Sequence, residues 1–161
     1  MLIVSDTSPL INLAAIGQLN LIPQLFGSVI LPQAVFNEIT ISGKGKAGAI
    51  DIQNANWVVI KQCKNQSFVN KLLADLDLGE AEAIALAIEI GTTTVLIDES
   101  DGRAMALLYQ LKPIGILGIL LEAKSKNYIP SIQPLMDDLR NIAGFYIAQP
   151  LYNRVLTLAG E

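Results

Sequence analysis

Apolar and polar positions follow two rhythms along this chain. Short runs such as Leu2–Val4, Ser28–Pro32, Trp57–Lys61 and Thr93–Asp98 are apolar and rich in β-branched residues, the pattern of buried strands. Between them lie longer stretches with helical spacing. Pro9 opens one, with Leu10, Ile11 and Leu13 behind it, and Pro32–Ile41 and Ala47–Asn54 are two more. Phe68–Leu76 and Leu78–Gly91 follow, the second closed by its glycine. Ser100–Leu111, Leu117–Lys126, Ser131–Ala143 and a stretch from Pro150 complete the predicted helices, with Pro113–Ile116 a short strand and Phe145–Ala148 an edge strand. This alternation predicts an α/β fold, a three-layer α/β/α sandwich around a largely parallel sheet. The 161 residues are expected to form one domain, 1–161, with a substantial core.

Composition narrows the chemistry. Hydrophobic residues make up 52% and the mean hydropathy is +0.45. The longest apolar stretch, Ile114 to Leu121, falls well short of the ~20 residues a membrane-spanning helix needs. Buried strands account for the hydropathy better, so no membrane association is expected. The N-terminus lacks the basic flank of a signal peptide, and Cys63 is the only cysteine, so a cytoplasmic location is expected. The absence of histidine excludes histidine-based triads and most zinc sites. Carboxylates, hydroxyls and cations remain, and carboxylates suit Mg²⁺ or Mn²⁺. The net charge of −4 argues against a broadly basic nucleic-acid surface, an objection that softens if the acids gather at a metal. The loop Ser42–Gly48 holds lysines but lacks the GxxxxGK[ST] pattern of a phosphate loop.

Four acids stand out by position. Asp6 and Asp98 each end a predicted strand, and in a parallel sheet both lie on the C-terminal edge, where ligands bind. Glu38 lies six residues past Pro32, and Glu80 begins the helix leading into the Asp98 strand. Carboxylates converging there would repel one another unless a divalent cation neutralised them, and such a cluster can orient a water at a phosphodiester. Each has a plainer reading as well. Asp6, Thr7 or Ser8 can cap the helix behind them, and Asp77-Leu78-Gly79-Glu80 matches a capping box. Asp98 or Ser100 can cap the next helix, and Glu38 can be an ordinary exposed residue. Glu82 and Asp101 are neighbouring candidates. Thr7 and Ser8 offer hydroxyls to a bound water, Arg103 a contact to phosphate, and Lys44, Lys46, Lys124 and Lys126 contacts to a nucleic-acid backbone. A receiver domain needs an aspartate ending a middle strand, and "WVVIK" has none.

The stretches "VSDTSPLINLA", "LPQAVFNEI", "LDLGEAEAIALA" and "VLIDESDGRAMA" resemble the PIN-domain superfamily. With "PIGILGILLEAKSKNYI", they are most similar to a prokaryotic PIN-like branch related to the VapC-type toxins of toxin–antitoxin pairs. The resemblance runs from Leu2 to about Phe145 and implies a sheet in the order 3-2-1-4-5. It further implies acids at the C-terminal edge that bind Mg²⁺ or Mn²⁺ and hydrolyse RNA. Carried over by position, Asp6 is the first acid with Ser8 as its nearby hydroxyl, Glu38 the second, Glu80 the third and Asp98 the fourth. Many toxins have aspartate at the third position, and here Glu82 lies half a turn from Glu80. The "DE" after the strand departs from the commoner threonine, any residue, aspartate. The implied function is a metal-dependent endoribonuclease, the toxin of such a pair. Asp6, Glu80 and Asp98 would hold the metal and Glu38 would be a ligand or water-orienting base. Ser8 and Arg103 would position substrate or water, and a cognate antitoxin and a homodimer are the implied partners. The alternative is a catalytically inactive PIN-like module that binds RNA or a partner protein.

Overall fold

The computed structural model describes residues 2–161. Five strands form one sheet, β1 (Ile3–Ser5), β2 (Val29–Pro32), β3 (Val58–Lys61), β4 (Thr94–Leu96) and β5 (Lys112–Ile114). Every pairing is parallel and the order is β3-β2-β1-β4-β5, so β1 is central, with Val4 opposite both Ile30 and Val95. This is the expected α/β/α sandwich with the expected strand order.

The period-two alternation of the strands builds two cores. Ile3, Val29, Leu31 and Leu96 point to one face. There they meet α1 (Thr7–Ala15), α2 (Leu21–Phe26), α4 (Ala49–Asn54), α8 (Ile116–Ser125), α9 (Gln133–Asn141) and α10 (Gln149–Leu158). Val4, Ile30, Val95 and Ile97 point to the other, against α5 (Gln66–Leu72), α6 (Leu78–Ile90) and α7 (Ser100–Leu108). Residues 81–87 of α6 are all buried, because that helix crosses the middle of the sheet. No helix among the described residues is long and apolar enough to cross a membrane.

Three expectations change. The predicted helix Pro32–Ile41 is an α-helix only over α3 (Gln33–Asn37) and continues as a π-helical turn over Glu38–Ser42. The Gly43 amide donates to the Glu38 carbonyl at 2.8 Å, and a β-carbon at Gly43 would lie 2.7 Å from the Ile39 oxygen. A glycine is therefore what lets the widened turn close. The stretch Leu21–Phe26, given no element above, is the short helix α2. Phe145–Ala148 is not a strand. The Phe145 amide donates to Leu139 at the end of α9, and Arg140 donates to the Ile147 carbonyl at 2.6 Å. These helix-end contacts take the backbone groups that a ladder would have needed.

Candidate active site

Asp6 follows β1 directly, and its amide donates to the Leu96 carbonyl at 2.9 Å. The ladder between the two central strands thus extends one step and fixes this backbone at the carboxyl edge. Asp6 is only 4% exposed, and although it precedes α1 it makes no side-chain cap. Thr7 turns to Glu38 instead, its hydroxyl donating to Oε2 at 2.7 Å. Behind both acids stands Gly79, the second residue of α6. A β-carbon there would lie 2.9 Å from Asp6 Oδ1 and 3.0 Å from Glu38 Oε2. Two carboxylates carried by different elements therefore converge on one point, which stays open because residue 79 has no side chain.

Glu80 comes next on α6 and is buried. Its Oε1 accepts the Asp77 amide at 3.1 Å while Asp77 Oδ1 accepts the Glu80 amide at 2.8 Å, so the capping box forms in full. Glu80 Oε2 is buried without a hydrogen-bond partner. It faces the first turn of α7, where a β-carbon at Gly102 would approach to 2.9 Å.

Asp98 is placed differently. Its Oδ1 accepts the Ile116 amide at 2.8 Å, at the start of α8, and its Oδ2 is buried without a partner. Arg103 donates to the Ile97 carbonyl at 3.2 Å, and its Nη1 flanks Gly115 together with Asp98 Oδ1. Asp6 and Glu38 are thus brought together with Glu80 nearby, and Asp98 turns toward β5 and α8. Glu99 adds repulsion to both Glu80 and Asp98. Among the described residues no group of three or more acids or cysteines is arranged to hold one ion.

The electrostatics single out Asp6. Burial, opposed by the Thr7 amide and reinforced by the charges of Asp77, Glu80 and Glu38, pushes its carboxyl from 3.8 up to about 8. Burial raises Asp98 to about 6 against the pull of the Ile116 amide and Arg103, with Glu99 adding to the rise. Glu80 also moves up, chiefly through burial, and the Asp77 amide holds it back. Glu82 is raised by burial as well, but the amide that offsets it belongs to Ala34 of α3, whereas Glu80 is one of the charges acting on Asp6. A buried acid with raised affinity for protons, in the field of other carboxylates, is an environment that a divalent cation relieves. Asp6, Glu38 and the free oxygen of Glu80 are hard donors of the kind Mg²⁺ or Mn²⁺ takes.

The other candidates have local partners. Ser8 accepts from Asn12 at 3.1 Å, so Thr7 rather than Ser8 is the hydroxyl on an acid. Asp101 is exposed in the first turn of α7. Lys124 pairs with Glu161 at 2.8 Å and Lys126 with Glu122 at 3.7 Å. Lys44 is exposed, and Lys46 lines a cavity of about 580 Å³ that includes Thr7 and Glu38. Sequence reasoning missed Asp77 as a charge on Asp6, the Thr7–Glu38 bond and the role of Gly79. The glycine alone left a signal, since glycine is a poor choice inside a first helical turn.

A parallel sheet in this order, with buried acids gathered at its carboxyl edge, defines the class as an α/β/α sandwich with an acidic cleft. The chain belongs to the PIN-domain family, whose model, described as PIN domain, matches residues 2–161. PIN domains are generally nucleases and typically use divalent metals. Neither the curated proteins nor the solved structures give a match to this chain.

Proposed function

We propose that this protein is a metal-dependent endoribonuclease. The observation that carries the reading is the convergence of Asp6 and Glu38 on the bare backbone of Gly79. In this proposal Asp6, Glu38 and Glu80 hold Mg²⁺ or Mn²⁺, which supplies a water of lowered pKa and neutralises charge developing at phosphorus. Thr7 bonds the carboxylate of Glu38, an exposed residue, and so holds its Oε2 at the point beside Gly79. Asp98, bonded through one oxygen to Ile116, keeps its second oxygen unpaired at the same edge. Arg103 stands beside it as the cation nearest a phosphate arriving there.

The test is cleavage of total cellular RNA by purified protein with Mn²⁺, run beside a chelator control and the Asp6→Asn variant. Cleavage lost in both controls is the expected result. Cleavage surviving Asp6→Asn in folded protein removes Asp6 from the mechanism. As a toxin the enzyme would be neutralised by a cognate antitoxin and act as a homodimer in the cytoplasm. Co-expression with the product of an adjacent small gene and sedimentation of the purified protein test those two points.

One observation favours a catalytically silent module that binds RNA or a partner protein. Among the described residues, three acids do not meet at one point. Calorimetric titration with Mn²⁺ separates the two, because the silent module gives no binding heat that Asp6→Asn abolishes.

A further inference from the structure

A second groove, with a volume of about 690 Å³, runs along the free side of the edge strand β5. It reaches from Asp98 and Arg103 at the carboxyl edge to Thr94 and Lys112 at the other end of the strands. One wall is α8, and the other is the irregular segment before α10. Three aromatic rings line it, Phe26, Phe145 and Tyr146, and Tyr146 is 85% exposed.

The charge on this groove runs against that of the molecule. Arg103, Lys112 and Lys126 line it against Asp98 and Glu122. Glu122 is paired with Lys126 and Asp98 sits beside Arg103, so three cations against two acids leave a net positive charge that rests on Lys112. The cavity of about 670 Å³ at Gly79 is lined by Glu38, Asp77 and Glu82 and by no cation. In a chain with 15 acids against 11 lysines and arginines, that cavity, which includes Glu38 and Gly79 of the proposed site, takes a phosphate only with its acids neutralised by a cation. The β5 groove can hold the rest of the backbone.

We infer that the β5 groove is a track for single-stranded RNA, a reading that rests on the ribonuclease proposed above. An exposed ring beside a cation is what a single strand requires, and Tyr146 supplies it while Phe26 and Phe145 pack on the core beneath. A base stacks on the ring without regard to sequence, and phosphate lies on the cation. The connection to the acids is direct. Gly102 and Arg103 are consecutive in the first turn of α7; Gly102 faces the free oxygen of Glu80, and Arg103 flanks Asp98. A strand in the groove therefore leads to the acidic edge around a single helical turn. With three-residue β5 as its floor, the track is on the order of 10 Å long, enough for a short stretch of single strand.

The test is fluorescence anisotropy with a labelled 12-nucleotide single-stranded RNA of mixed sequence, in chelator so that nothing is cut. The proteins are the wild type, Tyr146→Ala, Lys112→Gln and, on the opposite face of the sheet, Lys71→Gln. Tyr146→Ala is expected to weaken binding roughly ten-fold. Lys112→Gln is expected to weaken it and to lower the slope of log affinity against log salt by about 0.7. Lys71→Gln should bind as the wild type does, and melts monitored by circular dichroism confirm that each variant is folded. The inference is overturned if the wild type does not bind, or if both groove variants bind like the wild type. It is also overturned if Tyr146→Ala turns a dimer into a monomer at unchanged RNA affinity, which would make the groove a self-association surface. Failure of the ribonuclease reading is distinguishable, because RNA would then bind through the groove without being cleaved when Mn²⁺ is supplied.

Discussion

Replacing Asp6 by Asn removes one ionisable group and almost no volume, so the variant isolates what the buried charge costs. In metal-free protein the carboxyl takes up its proton at about 8, against an ordinary value of 3.8 in the unfolded chain. As pH rises past 3.8 the unfolded state ionises while the folded state stays neutral. Stability therefore falls by about 1.4 kcal/mol per pH unit until the folded carboxyl also ionises near 8. The full span corresponds to about 5–6 kcal/mol. Side-chain relaxation and water entering the cleft reduce that, to about 2–4 kcal/mol at pH 8. Asp6→Asn escapes this loss and should melt roughly 5–15 °C above the wild type at pH 8 in chelator, with a much smaller gap at pH 5. Thermal melts of both proteins at pH 5, 6.5 and 8 read the difference directly, and the other acids common to both proteins largely cancel. Excess Mn²⁺ should reverse the order at pH 8, because only the wild type gains binding energy on folding. A gap that does not widen with pH, or a less stable variant at pH 8, would refute the account of Asp6 as a strained acid.

Substitutions at three further positions separate site from scaffold. Gly79→Ala places a methyl 2.9 Å from Asp6 Oδ1 and 3.0 Å from Glu38 Oε2, and both carboxylates can swing aside. Stability should therefore change by less than about 1 kcal/mol, since alanine favours the helix, while cleavage falls at least ten-fold; melts and initial rates check the two halves. Thr7→Val removes the donor to Glu38 and should lower kcat several-fold with little change in KM, whereas Thr7→Ser restores the rate. Asp98→Ala unpairs the Ile116 amide, whereas Asp98→Asn keeps an acceptor oxygen and escapes the burial cost that raises this carboxyl to about 6. Urea unfolding at pH 7 should therefore find the Asn variant the more stable of the two by about 1–2 kcal/mol.

The sheet was legible because its residues act locally. The β-branched runs and the strand-end aspartates carry β1 and β4 without help from distant parts of the chain, and Asp6 and Asp98 fall at the edge that their spacing implies. The glycine that closes α6 likewise marks its end, with Gly91 as the cap. What was not legible depends on pairs far apart in sequence. Thr7 meets Glu38 across 31 positions, and Glu38 reaches it because the helix widens into a π turn that closes at Gly43. No periodicity announces such a turn, since one inserted residue shifts the pattern less than ordinary side-chain variation does. Phe145–Ala148 misled for a related reason. Its residues suit a strand, but an apolar run becomes one only if a ladder is free, and here the ends of α9 claim the backbone first.

Glu80 shows why a capping role and a functional role need not compete. Read along the sequence, Asp77-Leu78-Gly79-Glu80 sets helix capping against metal binding as though one carboxylate must choose. In the folded chain the two oxygens divide the work. Oε1 is held by the Asp77 amide, and Oε2 is left buried and unpaired. Fixing the first oxygen restricts the side-chain torsions, so the second is aimed by the same bond that starts α6. A ligand held by a further hydrogen bond loses less freedom when it binds an ion than a mobile one does. Asp77→Ala keeps the amide that holds Oε1 but removes the Oδ1 cap that fixes the turn presenting it. If the box positions the ligand, the variant should therefore weaken Mn²⁺ affinity several-fold. That loss should exceed what the fall in helix stability accounts for. Titration calorimetry on Asp77→Ala, compared with a variant equally destabilised at Leu72 on α5, separates the two effects. Equal Mn²⁺ affinities in those two proteins would reduce the box to a helix start alone.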